Sequence, residues 1–368
     1  MPKLIAGRSF VATFVLVFIS IAVLFAVDTL LAKADLAERQ AGAMRLFEQG
    51  RAAIERGDNA AAIEVIKEAI SIERDNRDFL RTLAAAQLSA GKTSDAEATL
   101  TELLQSDSTD GLANLILARV LMKEGRFVEA VSYFHRAIYG RWNMDATGNR
   151  LRTRFELIDL LAQRDAKEDL LAELLFVEDM APRDLKTKIR IGQLFLLAQS
   201  PARAADVFRA ILHDAPTSAA AFAGLGEAEF ARSSYRAAQR DFQAAVRWAP
   251  DDQAAQQRLD LCNELLRLDP TFRGLSPAER FSRSLKLVEL TLDETSRCIG
   301  QNPSQELREL LDNAAKTLAA HVGVVHQSEV AESNLDLAEQ LWQARKKECK
   351  SPPAANTPLA LVLAKLAQ

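Results

Sequence analysis

The chain has 368 residues, with 46 basic and 50 acidic side chains and a formal net charge of −4 at pH 7. Without a basic excess or a long run of one sign, it lacks the electrostatic footprint of a nucleic-acid-binding protein. Only 15 glycines, 11 prolines and 6% aromatic residues accompany 48% hydrophobic content, a balance that points to an all-α protein.

The first element is an anchor. Ser9 to Val27 runs 19 residues without a charge, and at 1.5 Å per residue it covers roughly 28 Å, the thickness of a bilayer's hydrocarbon layer. Residues 1–32 therefore read as a tail and transmembrane anchor, with membrane contact through 9–31, and residues 33–42 as a linker. Ala32-Lys33-Ala34 also fits a small-x-small cleavage site, so secretion after signal cleavage is the rival reading. The apolar run, however, exceeds the 7–15 residues of a signal core. No cysteine follows the run, which excludes a lipoprotein signal. Lys3 and Arg8 form a compact positive flank, and this places the short tail inside and the large domain outside, periplasmic in a bacterial cell. The inverted, cytoplasm-facing arrangement is the alternative, because Lys33 and Arg39 nearly balance the count.

Residues 43–252 repeat with a fixed period. Gly57, Gly91 and Gly125 fall 34 residues apart, each at a turn between two helical patterns. Small residues recur at the eighth position (Gly50, Ala84, Ala118) and the twentieth (Ala62, Ala96, Ala130), with Ile66, Leu100 and Phe134 at the twenty-fourth. Paired antiparallel helices need such gaps and fillers to approach closely. In these positions the chain resembles the tetratricopeptide repeat family, and the resemblance implies a helical solenoid whose concave groove binds an extended peptide or a partner helix.

Three units run without a gap from Ala43 to Met144. Asn114 stands where the family places a large apolar residue, which predicts a weakened contact. Arg74, Ser108 and Trp142 stand where the family favours Pro, so other residues must stop those helices. Phase slips by some six residues after Met144, and a fourth unit spans Leu151 to about Asp184, closing on Pro182. Leu185–Ser218 and Ala219–Asp252 then fit best, with Pro216 and Pro250 one period apart. A capping helix with Leu259, Cys262 and Leu266 closes a solenoid of six helix pairs over 43–266.

The inward positions of the first helices give a candidate groove of Phe47, Arg51, Arg81, Leu115, Arg119, Met122, Ile189 and Leu196. Arginines over an aliphatic floor suit a segment bearing a carboxylate and apolar side chains; the favoured alternative is that they are solvated groove residues or pair with Glu48 and Glu55. The Lys and Asn set of the family's chaperone-tail clamp is missing. Arg141, Arg150, Arg152 and Arg154 beside the insertion read as a solvated helix face.

Residues 267–349 predict three helices. Ser276-Pro277-Ala278-Glu279 is a capping-box start for a helix to about Cys298. Asn302-Pro303-Ser304-Gln305 starts another to about His321, and a third reaches about Cys349. In an antiparallel arrangement Cys298 and Cys349 meet at one end, either as a disulfide or as two separate thiols; a bond would close a loop that chain-entropy models value at about 4 kcal/mol. Residues 350–368 hold a Pro352-Pro353 linker and a short apolar tail (Leu359, Val362, Leu363, Leu366) that either docks on the bundle or is offered to a partner.

No catalytic motif, cofactor loop or metal set is present. The three cysteines lack a Cys-x-x-Cys, and His135, His213, His321 and His326 are scattered, the last two on different helix faces. The expected function is a membrane-tethered protein-binding scaffold in a cell-envelope process. A self-associating array and, less favoured, an enzyme with a site dispersed over the C-terminal helices are the alternatives.

Overall fold

The computed structural model describes residues 5–367 apart from 179, 181–183, 301–302, 321–322, 324–325, 350, 353 and 355–356, with side chains from Phe14 onward. Lys3, Pro182, Asn302, His321 and Pro353 thus lie outside the described residues, as do the side chains of Arg8 and Ser9. Among the described residues the chain forms helices and no strand. In order these are α1 (Ile5–Glu55), α2 (Asn59–Ile72), α3 (Arg77–Ser89), α4 (Thr93–Ser106), α5 (Gly111–Lys123), α6 (Phe127–Tyr139), α7 (Ala146–Gln163), α8 (Lys167–Val177) and α9 (Leu185–Leu197). They continue as α10 (Pro201–Asp214), α11 (Ala219–Ala231), α12 (Tyr235–Trp248), α13 (Gln253–Leu268), α14 (Pro277–Cys298), α15 (Gln305–Ala319), α16 (Gln327–Glu348) and α17 (Pro358–Leu366). The chain divides into two compact units, residues 1–160 and 161–368.

In the first unit α1/α2, α3/α4 and α5/α6 pack as consecutive antiparallel pairs. The small positions do what their size requires: Ala62, Ala96 and Ala130 are fully buried, as are Ile66, Leu100 and Phe134. A Cβ on Gly50 would stand 2.5 Å from Ile66 Cγ1, so the α1/α2 crossing admits no larger side chain there.

Each pair turns through one left-handed residue. Gly57, Gly91 and Gly125 have φ of 81°, 79° and 76°. At each turn the glycine amide donates three residues back and the next amide five residues back, as in Asp58 N to Ala53 O at 2.9 Å. This is a Schellman closure, which satisfies the last carbonyls of the helix. In the second unit the same two bonds close at Asp165, Gln199 and Ser233, with φ of 54°, 53° and 59°. These positions are again 34 apart, so the turn register survives the insertion although glycine does not.

The first helices of the pairs start on carboxylate, amide or hydroxyl caps. Asn76 accepts from Asp78 N, Asp110 from Ala113 N, Asp184 from Thr187 N, Ser218 from Ala221 N and Asp252 from Ala255 N. Such caps replace partners that the first turn cannot find within the helix.

The structure adds to the sequence reading at three places. Asn114 is fully buried; its Nδ2 donates to Ser108 O (3.1 Å) and Asp110 O (2.7 Å), tying down the turn that precedes α5, while its Oδ1 is buried without a hydrogen-bond partner among the described residues. Trp142 supplies the stop that Pro would give, its Nε1 donating to Ala137 O at 2.8 Å. Residues 33–42, read as a linker, are helical, and α1 runs unbroken from the apolar segment into the first repeat.

In the second unit α9/α10 and α11/α12 pair, and α13 covers α12. Phe208 is held between two glycines; a Cβ on Gly192 or Gly224 would meet its ring at 2.6 or 2.2 Å. Cys262 on α13 is fully buried beside Ala238 and Phe242, and burial pushes its thiol up to about 11.

The C-terminal helices form a bundle in the same unit. Ser276 and Glu279 make the reciprocal capping box of α14. α14 and α16 run parallel, with Asn334 Nδ2 donating to Ser284 Oγ (2.9 Å) and Arg345 paired with Glu294 (2.7 Å). A disulfide joins Cys298 to Cys349 at the common end, with Cα atoms 5.5 Å apart. The tail is docked: Leu359, Ala360, Val362 and Leu363 of α17 are buried against the cluster that holds Leu268, Leu287 and Trp342.

Candidate protein-interaction surfaces

The groove residues expected from the sequence separate into two classes. Phe47 is only 7% exposed and its ring stacks on Phe79 with centroids 4.5 Å apart; Leu115 is 6% exposed. Both belong to the core. They share a register position, the fifth of the unit, which is turned away from solvent in both; at Phe47 it points toward α3, the first helix of the next repeat. Arg81 occupies the same position and behaves alike, its guanidinium 2.9 Å from both Asp78 and Asp110 with the side chain 12% exposed.

The ninth position faces water. Arg51 pairs with Glu48 at 3.1 Å within α1, and Arg119 forms a two-pronged pair with Glu156 of α7 at 2.9 and 2.6 Å. Roughly half of each arginine side chain stays exposed, so each pair is worth well under about 1 kcal/mol and exchanges readily. Met122 is half-buried beside this row, and in the second unit Ile189 and Leu196 are half-buried on α9.

A polar recess of about 280 Å³ lies where α3 and α5 begin, lined among others by Arg77, Arg81, Asp107, Asp110 and Arg141. Asp107 accepts from Thr109 and pairs with Arg77 (2.7 Å) and Arg141. Hydrogen bonds from Thr109, reinforced by the two arginines, hold its carboxyl below the usual carboxylate range against the cost of its burial. Each of the three arginines is paired with an acid inside the recess, so it clips the second repeat to the third and, among the described residues, leaves no free cation there for an anionic ligand. Arg152 likewise pairs with Asp145, at 2.9 Å.

Two clefts lie within the second unit. One, of about 460 Å³, has Leu268, Leu290, Trp342 and Leu359 among its lining, with Arg267, Lys286 and Arg297 and three acids at the rim. The other, of about 520 Å³ between α15 and α16, is walled by Glu306, Glu309, Asp336, Glu339 and Glu348. Neither was legible in the sequence, because their linings come from helices brought together only by the bundle. Among the described residues no group of His, Cys, Asp and Glu side chains is arranged to hold a metal ion.

Family models described as tetratricopeptide repeat match residues 53–120 and 115–141. Residues 53–141 are tetratricopeptide repeats. The same pair geometry and turn closure recur in the second unit, which makes the chain an all-α tetratricopeptide-type protein with a C-terminal helical bundle.

Solved tetratricopeptide proteins resemble it. YrrB, described as having an unusual peptide-binding site, is 19% identical, with 53% of this chain and 97% of that one covered at a TM-score of 0.42. The C-terminal part of a tetratricopeptide protein from Cytophaga hutchinsonii is 14% identical over 66% and 95%, with a TM-score of 0.46. PilW, a type IV pilus biogenesis factor, is 13% identical over 59% and 98%, with a TM-score of 0.39. At these scores the likeness carries no argument, and the assignment stands on the family models and the turn register. No curated protein matches the chain.

Tetratricopeptide repeats are protein-interaction scaffolds in general, and that is the coarse function of this chain. Among the described residues one helix, over Phe14–Glu55, is long and apolar enough at its start to cross a membrane.

Proposed function

We propose that the protein is a membrane-tethered scaffold that holds a protein partner outside the cytoplasm, in a cell-envelope process. One observation carries this reading: α1 passes without a break from a fully exposed apolar stretch into the first repeat, where Ala43 and Phe47 are buried. An exposed run of Phe, Val, Ile and Leu at 47–76% accessibility over residues 14–27 is costly in water and favourable in lipid. The tether then confines the repeats to a layer close to the membrane and raises the local concentration of whatever they bind.

The disulfide between Cys298 and Cys349 supports an oxidising compartment for the large domain. The positive flank of Lys3 and Arg8 supports the same orientation. The partner surface proposed for the first unit is Arg51, Arg119 and Met122, fit for a segment with a carboxylate and an apolar side chain; Ile189 and Leu196 are a separate apolar surface on the second. Capture from detergent-solubilised membranes on the full-length chain tests it. A partner retained by the parent and lost on Arg51→Ala with Arg119→Ala supports the surface, and undiminished retention rejects it.

A further inference from the structure

Between the apolar span and the first repeat, α1 is a bare rod. Residues 30–41 are all exposed, and Leu30 and Met44 are 67% and 48% accessible. A solvated single helix needs no apolar stripe, yet this one has one. Leu30, Ala37 and Met44 recur every seven residues, interleaved with Ala34 and Ala41, the alternating three- and four-residue spacing of a coiled-coil seam. The stripe continues back through Val27, Val23, Ser20 and Leu16 into the span, so it is more than four heptads long.

The stripe is not used by the repeat. At 100° per residue, Ala34, Ala37 and Ala41 lie about 180°, 120° and 160° around the helix from Ala43, the first residue that the packing against α2 buries. The two faces can therefore be covered at once.

We infer that this face is covered by a second copy of the same chain, as a parallel two-stranded coiled coil running from the membrane to the first repeat. Charge selects this occupant. With Leu30, Ala37 and Met44 at d positions, Lys33 falls at g and Glu38 at the following e, the pair that faces across a parallel dimer. Neither residue is in an ion pair among the described residues, whereas Asp35 and Arg39, on the outer face, satisfy each other at 2.9 Å. Two-fold symmetry makes the Lys33–Glu38 contact twice. The membrane supplies the rest, since copies anchored alike are already parallel. Alanines at 34, 37 and 41 let the two helices approach closely over the section between the membrane and the first repeat.

The test uses the full-length chain, purified and reconstituted into vesicles, with Ala34→Cys, Ala41→Cys or Arg39→Cys and copper phenanthroline as oxidant. The unsubstituted chain is the blank, because its cysteines are either bonded or buried. A cross-linked dimer from Ala34→Cys and Ala41→Cys but not from Arg39→Cys is the expected result; equal yields at all three, or none at either seam position, overturn it. Adding Glu38→Lys to Ala34→Cys should lower the dimer yield about fivefold, and Lys33→Glu on top should restore it. Failure of that rescue overturns the pairing even if some cross-link forms. The inference rests on the anchor reading, and the two fail separately: carbonate extraction of the same vesicles reports insertion whether or not the cysteines react.

Discussion

The same turn is built in two ways in the two units. In residues 1–160 the left-handed residue is glycine three times, at Gly57, Gly91 and Gly125; in residues 161–368 it is Asp165, Gln199 and Ser233. The hydrogen bonds that close the turns are the same within a few tenths of an ångström. Glycine meets the backbone demand without steric cost, while an L side chain there costs about 1 kcal/mol. The second unit accepts this cost three times and has what the first lacks: a disulfide and a docked tail. Local fit holds one region together, and long-range fastening the other.

The largest expected effect removes the fastening. Cys298→Ser with Cys349→Ser should destabilise the second unit by about 4 kcal/mol, given the 51-residue separation. Fragment-resolved hydrogen exchange should find the loss in residues 161–368 and leave the first unit unchanged. Equal loss in both would break the comparison.

Gly91→Val places a β-branched side chain at φ 79° and should cost about 2–3 kcal/mol in urea unfolding. Gln199→Val, at a turn that already bears a side chain, should cost about half as much.

A third effect sharpens the contrast through pH. Asp241, on α12, is pushed up to about 6 by burial and by Glu229, against the pull of Arg240 and Arg209. Its raised value means that the fold favours the protonated form. The associated stability is therefore complete below pH 3.8 and is lost as pH rises through about 6. Asp241→Asn should stabilise the second unit at pH 8 by about 1 kcal/mol, and flatten its stability between pH 4 and 6. Asp269 has the opposite sign. Its burial is outweighed by hydrogen bonds from Lys365 and Thr271, and its carboxyl lies below the usual range. Its contribution is present above pH 3.8 and fades on acidification, so the tail helix α17 should loosen first in acid.

The smallest effect is a gain. Gln199→Gly or Ser233→Gly should each stabilise by about 0.5 kcal/mol, the relief of the left-handed side chain less the entropy that glycine adds to the unfolded chain. No gain at either position would mean that those side chains make contacts which offset their strain.

This difference also explains what could be read from the letters. Gly57, Gly91 and Gly125, with their alanines, exposed the period directly, and Ser276 with Glu279 announced α14 because capping is local chemistry. Asp165, Gln199 and Ser233 carried no such mark, since any residue can be forced left-handed by the packing around it. The groove was less legible than the fold. A repeat register tells which helix a residue is on, but not that the fifth position is turned away from solvent; Phe47 and Leu115 were drawn into the candidate surface for that reason. Asn114 stood out as a departure from the pattern, but its partners could not be read, because they are backbone carbonyls of a turn and leave no trace in composition. The clefts beside Trp342 and between α15 and α16 are products of tertiary contact alone.

The central claim is that the repeats stand on the outer side of a membrane at the end of α1. Protease added to sealed vesicles of known orientation tests it most directly. The account predicts that residues 43–368 are digested only when the extracytoplasmic face is accessible, with Cys298 and Cys349 recovered in one disulfide-linked fragment before reduction. Digestion only from the cytoplasmic face, or release of the domain without detergent, would contradict it.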